Sequence, residues 1–207
     1  MFVIVRHGNT FDTGEQPRRI GARTDLPLTE QGMVQAYTLA RHFAGLGWEF
    51  SRAIVSPLAR TRQTADAILA MQENPPNPQP AEFLREIDHG PDENKTEEEV
   101  LERIGADALA AWESQASPPQ GWIVNPAARI AAWQELFRND QFQNESRDNP
   151  LLLVTSNGAA RFALRADPLL CDQAQNLPSL KLPTGGYGVI TRGRSGQLHL
   201  ESWGIRP

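Results

Sequence analysis

Two short, almost unbroken apolar runs stand out along the 207-residue chain: 2–5 (Phe2-Val3-Ile4-Val5) and 151–154 (Leu151-Leu152-Leu153-Val154). Four apolar residues without polar alternation are the signature of a strand covered on both faces, as in the buried sheet of an α/β protein. A third candidate strand is 53–55, and Gly185-Gly186 leads into a late one at 187–191. Helical periodicity fills the intervals: 30–46 after the N-cap Thr29, 57–71 after Ser56-Pro57, 97–115 after Thr96, and 127–138 after Asn125-Pro126. Ser-Pro and Asn-Pro place a capping side chain before a proline at the first helical position, where its missing N–H is not needed. The stretch 73–80, rich in Pro and Asn, reads as an exposed loop. Strands alternating with helices predict a three-layer α/β/α sandwich around a mainly parallel sheet. No internal repeat is visible, so the expectation is one domain over 1–207 with a helical insertion around 91–150.

Composition narrows the classes of function. At 40% hydrophobic and 22% charged residues the chain has the balance of a globular protein. Its net charge of -5, spread along the sequence, creates no long-range field to gather nucleic acid or anionic lipid. An anion site has to be built locally. Cys171 is the single cysteine, which rules out an internal disulfide and a cysteine pair for zinc or redox work. The opening apolar run is cut off by Arg6-His7-Gly8, too short for a signal-peptide core, and no stretch approaches the ~20 apolar residues that span a bilayer. A soluble, cytoplasmic protein is expected, with no membrane or nucleic-acid partner; oligomeric state is left open.

The first strand runs directly into Arg6-His7-Gly8-Asn9-Thr10. Ligands in α/β folds bind just beyond the carboxyl ends of strands, so an imidazole and a guanidinium able to meet an anion stand at the expected place. A neutral imidazole can attack phosphorus while the guanidinium neutralises phosphate charge. A second element, Ser56-Pro57-Leu58-Ala59-Arg60-Thr61-Arg62-Gln63-Thr64-Ala65, repeats the strand-to-helix geometry. A helix N-terminus there offers unpaired N–H groups, and Arg60 adds a bidentate phosphate donor. Arg62 is expected on the solvated helix face. A general acid has to be protonated at working pH, through burial or a like-charged neighbour such as incoming phosphate. Glu86, Asp88, Asp92 and Glu93 all qualify by position, and spacing does not choose among them.

Together with Asp25-Leu26-Pro27-Leu28-Thr29-Glu30-Gln31-Gly32, these segments resemble the histidine phosphatase (phosphoglycerate mutase-like) superfamily in order and spacing. The resemblance spans the first half of the chain and, in part, the segment 151–161. It implies that His7 becomes phosphorylated, that Arg6 and Arg60 hold the phosphate with Asn9 beside them, and that an acidic residue protonates the leaving group. Phe83-Leu84-Arg85-Glu86-Ile87-Asp88-His89-Gly90 looks like the family's Leu-x-Glu-x-x-x-Gly segment, which assigns that role to Glu86. With the phosphate charge met by arginines and a helix N-terminus, and the histidines too few and scattered for a ligand set, no metal and no cofactor is expected.

Two departures matter. The family's second histidine lies in a Val-Ser-His-Gly-Gly-x-x-Arg segment, and here the matching residues are Val154-Thr155-Ser156-Asn157-Gly158-Ala159-Ala160-Arg161. Ser156 replaces an imidazole that donates to the phosphoryl oxygens, leaving Ser156 and Asn157 as the remaining donors. Losing one such donor typically costs ~10²–10³ in rate, which leaves detectable turnover. Of the other histidines, His42 and His199 fall in packing or surface patterns, whereas His89, three residues after Glu86, is a possible auxiliary. The second departure replaces the family's Trp-Glu-Gly by Asp92-Glu93-Asn94, where only the glutamate persists. The expected function is a phosphomonoesterase acting on a small phosphorylated metabolite through phosphohistidine at His7. The family's true mutases are longer, which favours transfer to water. The alternative is a weak or inactive phospho-ligand-binding module of the same fold. Trp112, Trp122 and Trp133 are expected to pack in the core or a lid rather than to stack on ligand.

Overall fold

The computed structural model describes residues 1–139, 149–193 and 195–207. One six-stranded sheet organises it. Strands β1 (Phe2–Arg6), β2 (Arg52–Val55), β3 (Gln79–Pro80) and β4 (Leu151–Thr155) run parallel in the order β3-β2-β4-β1. Strand β5 (Tyr187–Arg192) pairs antiparallel with β1, and β6 (Leu198–Ile205) closes the far edge against β5.

The unbroken apolar runs have the expected cause. Phe2 and Ile4 of β1, with Leu151 and Leu153 of β4, enter one core together with Val100 and Trp112 of α3 (Glu97–Gln115) and Trp133, Leu136 and Phe137 of α4 (Pro126–Arg138). Val3 and Val5, with Leu152 and Val154, enter the other, against Leu39 and Phe43 of α1 (Glu30–Gly45) and Ala65, Ile68 and Leu69 of α2 (Ala59–Leu69). Alternate residues of one strand thus feed opposite layers, so neither face has room for a polar residue. The mixed, mostly parallel sheet between two helical layers is the α/β sandwich expected from the sequence.

Helix starts follow capping chemistry in three places. The Thr29 side chain accepts from the N–H of Gly32, Asn125 accepts from Ala128, and Thr96 with Glu99 forms a reciprocal capping box. The helix expected at 57–71 is shorter at both ends. Ser56 is not its cap: the Ser56 N–H still pairs with the Val154 carbonyl at 2.9 Å as an extension of the sheet, and the helix begins at Ala59. The loop 73–80 contains the edge strand β3, whose proline leaves no ladder N–H to satisfy. Among the elements that escaped the reading are α6 (Pro168–Ala174), capped by Asp167 before a proline, and most of β6, where exposed and buried residues alternate irregularly. Of the histidines read as packing or surface residues, the His42 ring bonds Tyr187 Oη at 2.7 Å and His199 lies exposed beside Gln173. No helix among the described residues is long and apolar enough to cross a membrane.

Leu153 is wholly buried at the centre of the sheet, so Leu153→Ala is expected to leave a cavity and lower stability by about 2–5 kcal/mol, measured as a shift in the urea unfolding midpoint at unchanged slope.

Candidate active site

Parallel strands end on one edge of the sheet, and three of them deliver the chemistry there. His7 follows β1, Ser56 precedes α2 at the end of β2, and Ser156 follows β4. Arg6 is paired in register with Thr155, and the His7 N–H donates to the Thr155 carbonyl at 3.2 Å. His7 and Ser156 are therefore neighbours across two adjacent strand ends.

The state of His7 can be read from its contacts. Its Nδ1 lies 2.7 Å from the Gly8 carbonyl oxygen, which can only accept, so Nδ1 carries the proton. The lone pair is then on Nε2, where Arg60 Nε–H donates to it at 3.2 Å. Burial first, then the positive charges of Arg60 and Arg6, push the His7 pKa well below its ordinary 6.5. The imidazole is neutral at pH 7, with the lone pair of Nε2 in place.

Arg60 is wholly buried, and two of its remaining four N–H groups go to backbone: Nη1 to the Thr24 carbonyl at 2.8 Å and Nη2 to the Gly21 carbonyl at 3.2 Å. At the N-terminus of α2, the Ala59 N–H is taken by Asp25, which accepts from it at 2.7 Å. Arg6 gives Nη1 to the Leu182 carbonyl at 2.8 Å, while its buried Nε has no hydrogen-bond partner among the described residues. Burial lowers the Arg6 pKa to about 10, which leaves the guanidinium charged at neutral pH.

Glu86 is buried at 6% exposure and caps the short helix α5 (Asn157–Ala160). Its Oε2 accepts from the Gly158 N–H at 2.9 Å and its Oε1 from the N–H groups of Ile87 at 2.9 Å and Ala159 at 3.1 Å. Gly158 permits this approach, since a Cβ there would lie 2.3 Å from Glu86 Oε1. Ser156 is wholly buried, and its Oγ is without a partner among the described residues. Asn157 is turned aside: its Oδ1 accepts from the Leu182 N–H at 3.1 Å. Arg161, which ends the same segment, is fully buried, bonded to the Trp112 carbonyl at 2.6 Å and stacked 4.4 Å over that indole. It is a packing residue.

Asn9 lines an open cavity of about 370 Å³ with Thr10, Phe11, Asp12, Glu15 and Thr184, on the side where the Gly185 N–H donates to the His7 carbonyl. His89 does not meet His7 or Glu86. It packs edge-on against Trp122 with ring centres 4.7 Å apart, and its Nδ1 lies 3.5 Å from Glu93. Trp112, Trp122 and Trp133 are all buried, as expected. Among the described residues no group of three or more His, Cys, Asp or Glu side chains could hold a metal ion. Sequence reasoning missed the backbone cradle of Arg60 and the Asp25 cap, which depend on loop pairings that leave no periodic trace.

Comparison with known proteins decides the family. The model of the histidine phosphatase superfamily (branch 1) matches residues 2–205. The chain belongs to the histidine phosphatase superfamily. Among curated proteins, it is 33% identical over 125 residues to the 2,3-bisphosphoglycerate-dependent phosphoglycerate mutase of Rhizobium etli, covering 58% of this chain and 57% of that one. Identity is 37% over 117 residues to the "Probable phosphoglycerate mutase GpmB" of Yersinia pestis, covering 54% and 45%. The match thus spans about half the length of these relatives. A mycobacterial glucosyl-3-phosphoglycerate phosphatase shares the fold at a TM-score of 0.78 and 21% identity, over 100% of this chain and 99% of that one. The α-ribazole phosphatase of Shigella flexneri does so at 0.72 and 19%, over 99% and 96%.

The low pKa of His7 makes two expectations. The unfolded chain takes up a proton near 6.5 and the folded one does not, so the stability contributed by the neutral imidazole is present above 6.5 and declines as pH falls below it. Arg60→Ala removes the larger cationic contribution and is expected to raise the His7 midpoint towards 6.5, read from the imidazole proton resonances as pH is varied.

Proposed function

We propose that this histidine phosphatase superfamily member is a phosphomonoesterase working through phosphohistidine at His7. The observation that carries the reading is the tautomer: Nδ1–H tied to the Gly8 carbonyl and an unprotonated Nε2 facing the Arg60 guanidinium at the carboxyl ends of the strands. Arg6 Nε and Ser156 Oγ, both buried without partners among the described residues, are donors that phosphoryl oxygens would satisfy.

In the first step the Arg60 Nε–H passes from Nε2 to a phosphoryl oxygen, the freed Nε2 attacks phosphorus, the N–P bond forms, and the bond from phosphorus to the leaving oxygen breaks. Glu86 gives that oxygen a proton, for which it has to release one of its backbone contacts at α5. In the second step water attacks the phosphohistidine, Glu86 takes a proton from it, and inorganic phosphate leaves with the imidazole restored. The guanidiniums neutralise charge as it shifts, the main task in phosphoryl transfer. No step calls on a metal, so a chelator should leave the rate unchanged. Water is the favoured acceptor, as in the phosphatases that share the fold; the curated relatives are named as mutases, so transfer between phosphoglycerates belongs in the same screen. The substrate is a small phosphorylated metabolite, with Asn9 and its cavity on the side of the leaving group.

A second reading, a phospho-ligand-binding module with little or no turnover, is favoured by one feature, the serine at 156. The two readings separate on single-turnover labelling of His7 with a phosphate-ester panel. The phosphatase reading expects acid-labile label in the parent, none in His7→Ala, and about tenfold faster labelling in Ser156→His, since a donor to a charged group contributes roughly 1.5–3 kcal/mol. No label in any form, with ligand binding unaffected by His7→Ala, would transfer the case to the binding module.

A further inference from the structure

Among the described residues Arg60 has no acidic partner in direct contact. Its guanidinium is aimed at His7 by two carbonyls, those of Gly21 and Thr24, so whatever fixes the 21–24 turn fixes the phosphate donor. Arg23 of that turn bonds Asp88 at 3.0 Å, but the carboxylate that gathers donors from three of its residues is Glu93. Glu93 Oε1 accepts from the Gly21 N–H at 2.8 Å, the Thr24 hydroxyl at 2.7 Å and the Arg23 N–H at 3.3 Å, while Oε2 accepts from the His89 N–H at 3.2 Å. The approach requires glycine at 21: a Cβ there would lie 2.4 Å from Glu93 Oε2 and 2.6 Å from His89 Nδ1. The Glu93 side chain is 8% exposed. Four donors on one buried carboxylate bind far more than a surface charge needs, and three of them belong to the turn that carries the Arg60 acceptors.

We propose that Glu93 is a positioning residue for phosphate binding, setting the Arg60 guanidinium against His7 through the 21–24 turn. It touches neither phosphate nor leaving group. The inference rests on the phosphatase reading for what Arg60 binds, but not for what holds Arg60. Burial opposes the charge, but the His89 side chain first, then the Thr24 hydroxyl and the N–H groups of Gly21 and His89, lower the Glu93 pKa to about 2, so the frame keeps its charge throughout the range in which a phosphatase works.

Two readouts test it in Glu93→Gln, Glu93→Ala and, as a milder variant that keeps the fold if the others do not, Thr24→Val. The first needs no ligand. Arg60 helps hold the His7 pKa down, so a guanidinium released from Nε2 should let the His7 midpoint rise. The expected order is Ala largest, Gln smaller because it keeps the oxygen that Gly21 and Thr24 address, and Thr24→Val smallest. The second is competition by inorganic phosphate and orthovanadate, expected to weaken about tenfold or more in Glu93→Ala, as the loss of one well-placed charged donor implies. KM should rise more than kcat falls. Glu135→Ala, on the exposed face of α4, serves as the control and should change neither. A role confined to stability would lower the melting temperature while leaving the His7 midpoint and phosphate competition of the folded protein at parent values, and that result would overturn the proposal. Failure of the parent to bind phosphate at all would instead remove the phosphatase reading, and the His7 midpoint would still decide the positioning role.

Discussion

A guanidinium taken wholly out of water has to find an acceptor for nearly every N–H, or its burial costs several kcal/mol. Among the described residues Arg60 goes part of the way without a carboxylate: two backbone carbonyls and the lone pair of His7 take three of its five N–H donors. An acidic partner would have neutralised the charge needed for phosphate, whereas carbonyls and a neutral imidazole satisfy these donors and leave the charge in place. Much of the site depends on this choice. The His7 tautomer has to present Nε2 as an acceptor, which is why Nδ1–H is committed to Gly8; and the 21–24 turn has to hold two carbonyls at a fixed spacing, which is why another part of the chain grips it.

That grip extends along the loop after Glu86. Ala22 donates to the Ile87 carbonyl, Arg23 bonds Asp88 and the Gly90 carbonyl, and Glu93 closes the far end. The turn that aims Arg60 and the loop that carries Glu86 are laced together over seven residues. The phosphate donor and the residue assigned as the acid therefore share one scaffold, and the relative placement of the two ends of the reaction is a property of this lacing rather than of the sheet. The layer behind it is packed for rigidity: Trp122 lies between His89 and Trp112, its indole N–H bonded to Asp92, which Arg103 clasps in turn. Asp92 and Glu93 thus divide the labour of the segment that departs from the family's Trp-Glu-Gly, one tying the tryptophan of a distant loop into place and the other the phosphate-side turn.

The parts legible in the sequence are those governed by periodicity and by local chemistry. The strands at 2–5 and 151–154 declared themselves because a sheet covered on both sides tolerates no polar alternation, and the caps at Thr29, Thr96 and Asn125 because a side chain and a backbone N–H three residues away are enough to define them. The positions of Arg6, His7, Arg60, Glu86 and Ser156 followed from strand ends and from family resemblance. What stayed hidden depended on pairs far apart in the chain. Ser56 has the composition of an N-cap, yet the sheet claims its N–H and delays the helix by two residues. Asp25 caps a helix thirty-four residues later. Glu93 did leave a trace, as the only residue surviving from the family's tripeptide, but persistence in a motif does not say which atoms a carboxylate holds.

Ser156 shows why the missing imidazole and the rest of the site have to be weighed separately. A pocket that had lost phosphate chemistry altogether would be under no constraint to leave donors unpaired, because a buried polar atom without a partner costs roughly 1–3 kcal/mol that an apolar residue would recover. Here the opposite holds at the positions facing one another across the strand ends: the Oγ of Ser156 and the Nε of Arg6 are both buried and unpaired among the described residues, while Arg161, a turn farther on, has its Nη1 bonded and its guanidinium stacked on Trp112. Arg19 Nε, His89 Nδ1 and Arg192 Nη2 are unpaired as well among the described residues, so the two donors at the strand ends fit the proposed anion site without marking it by themselves. On the proposed phosphatase reading, His7 holds its tautomer and its Arg60 contact whatever stands at 156, so the serine there bears on transition-state contacts rather than on the presence of the nucleophile.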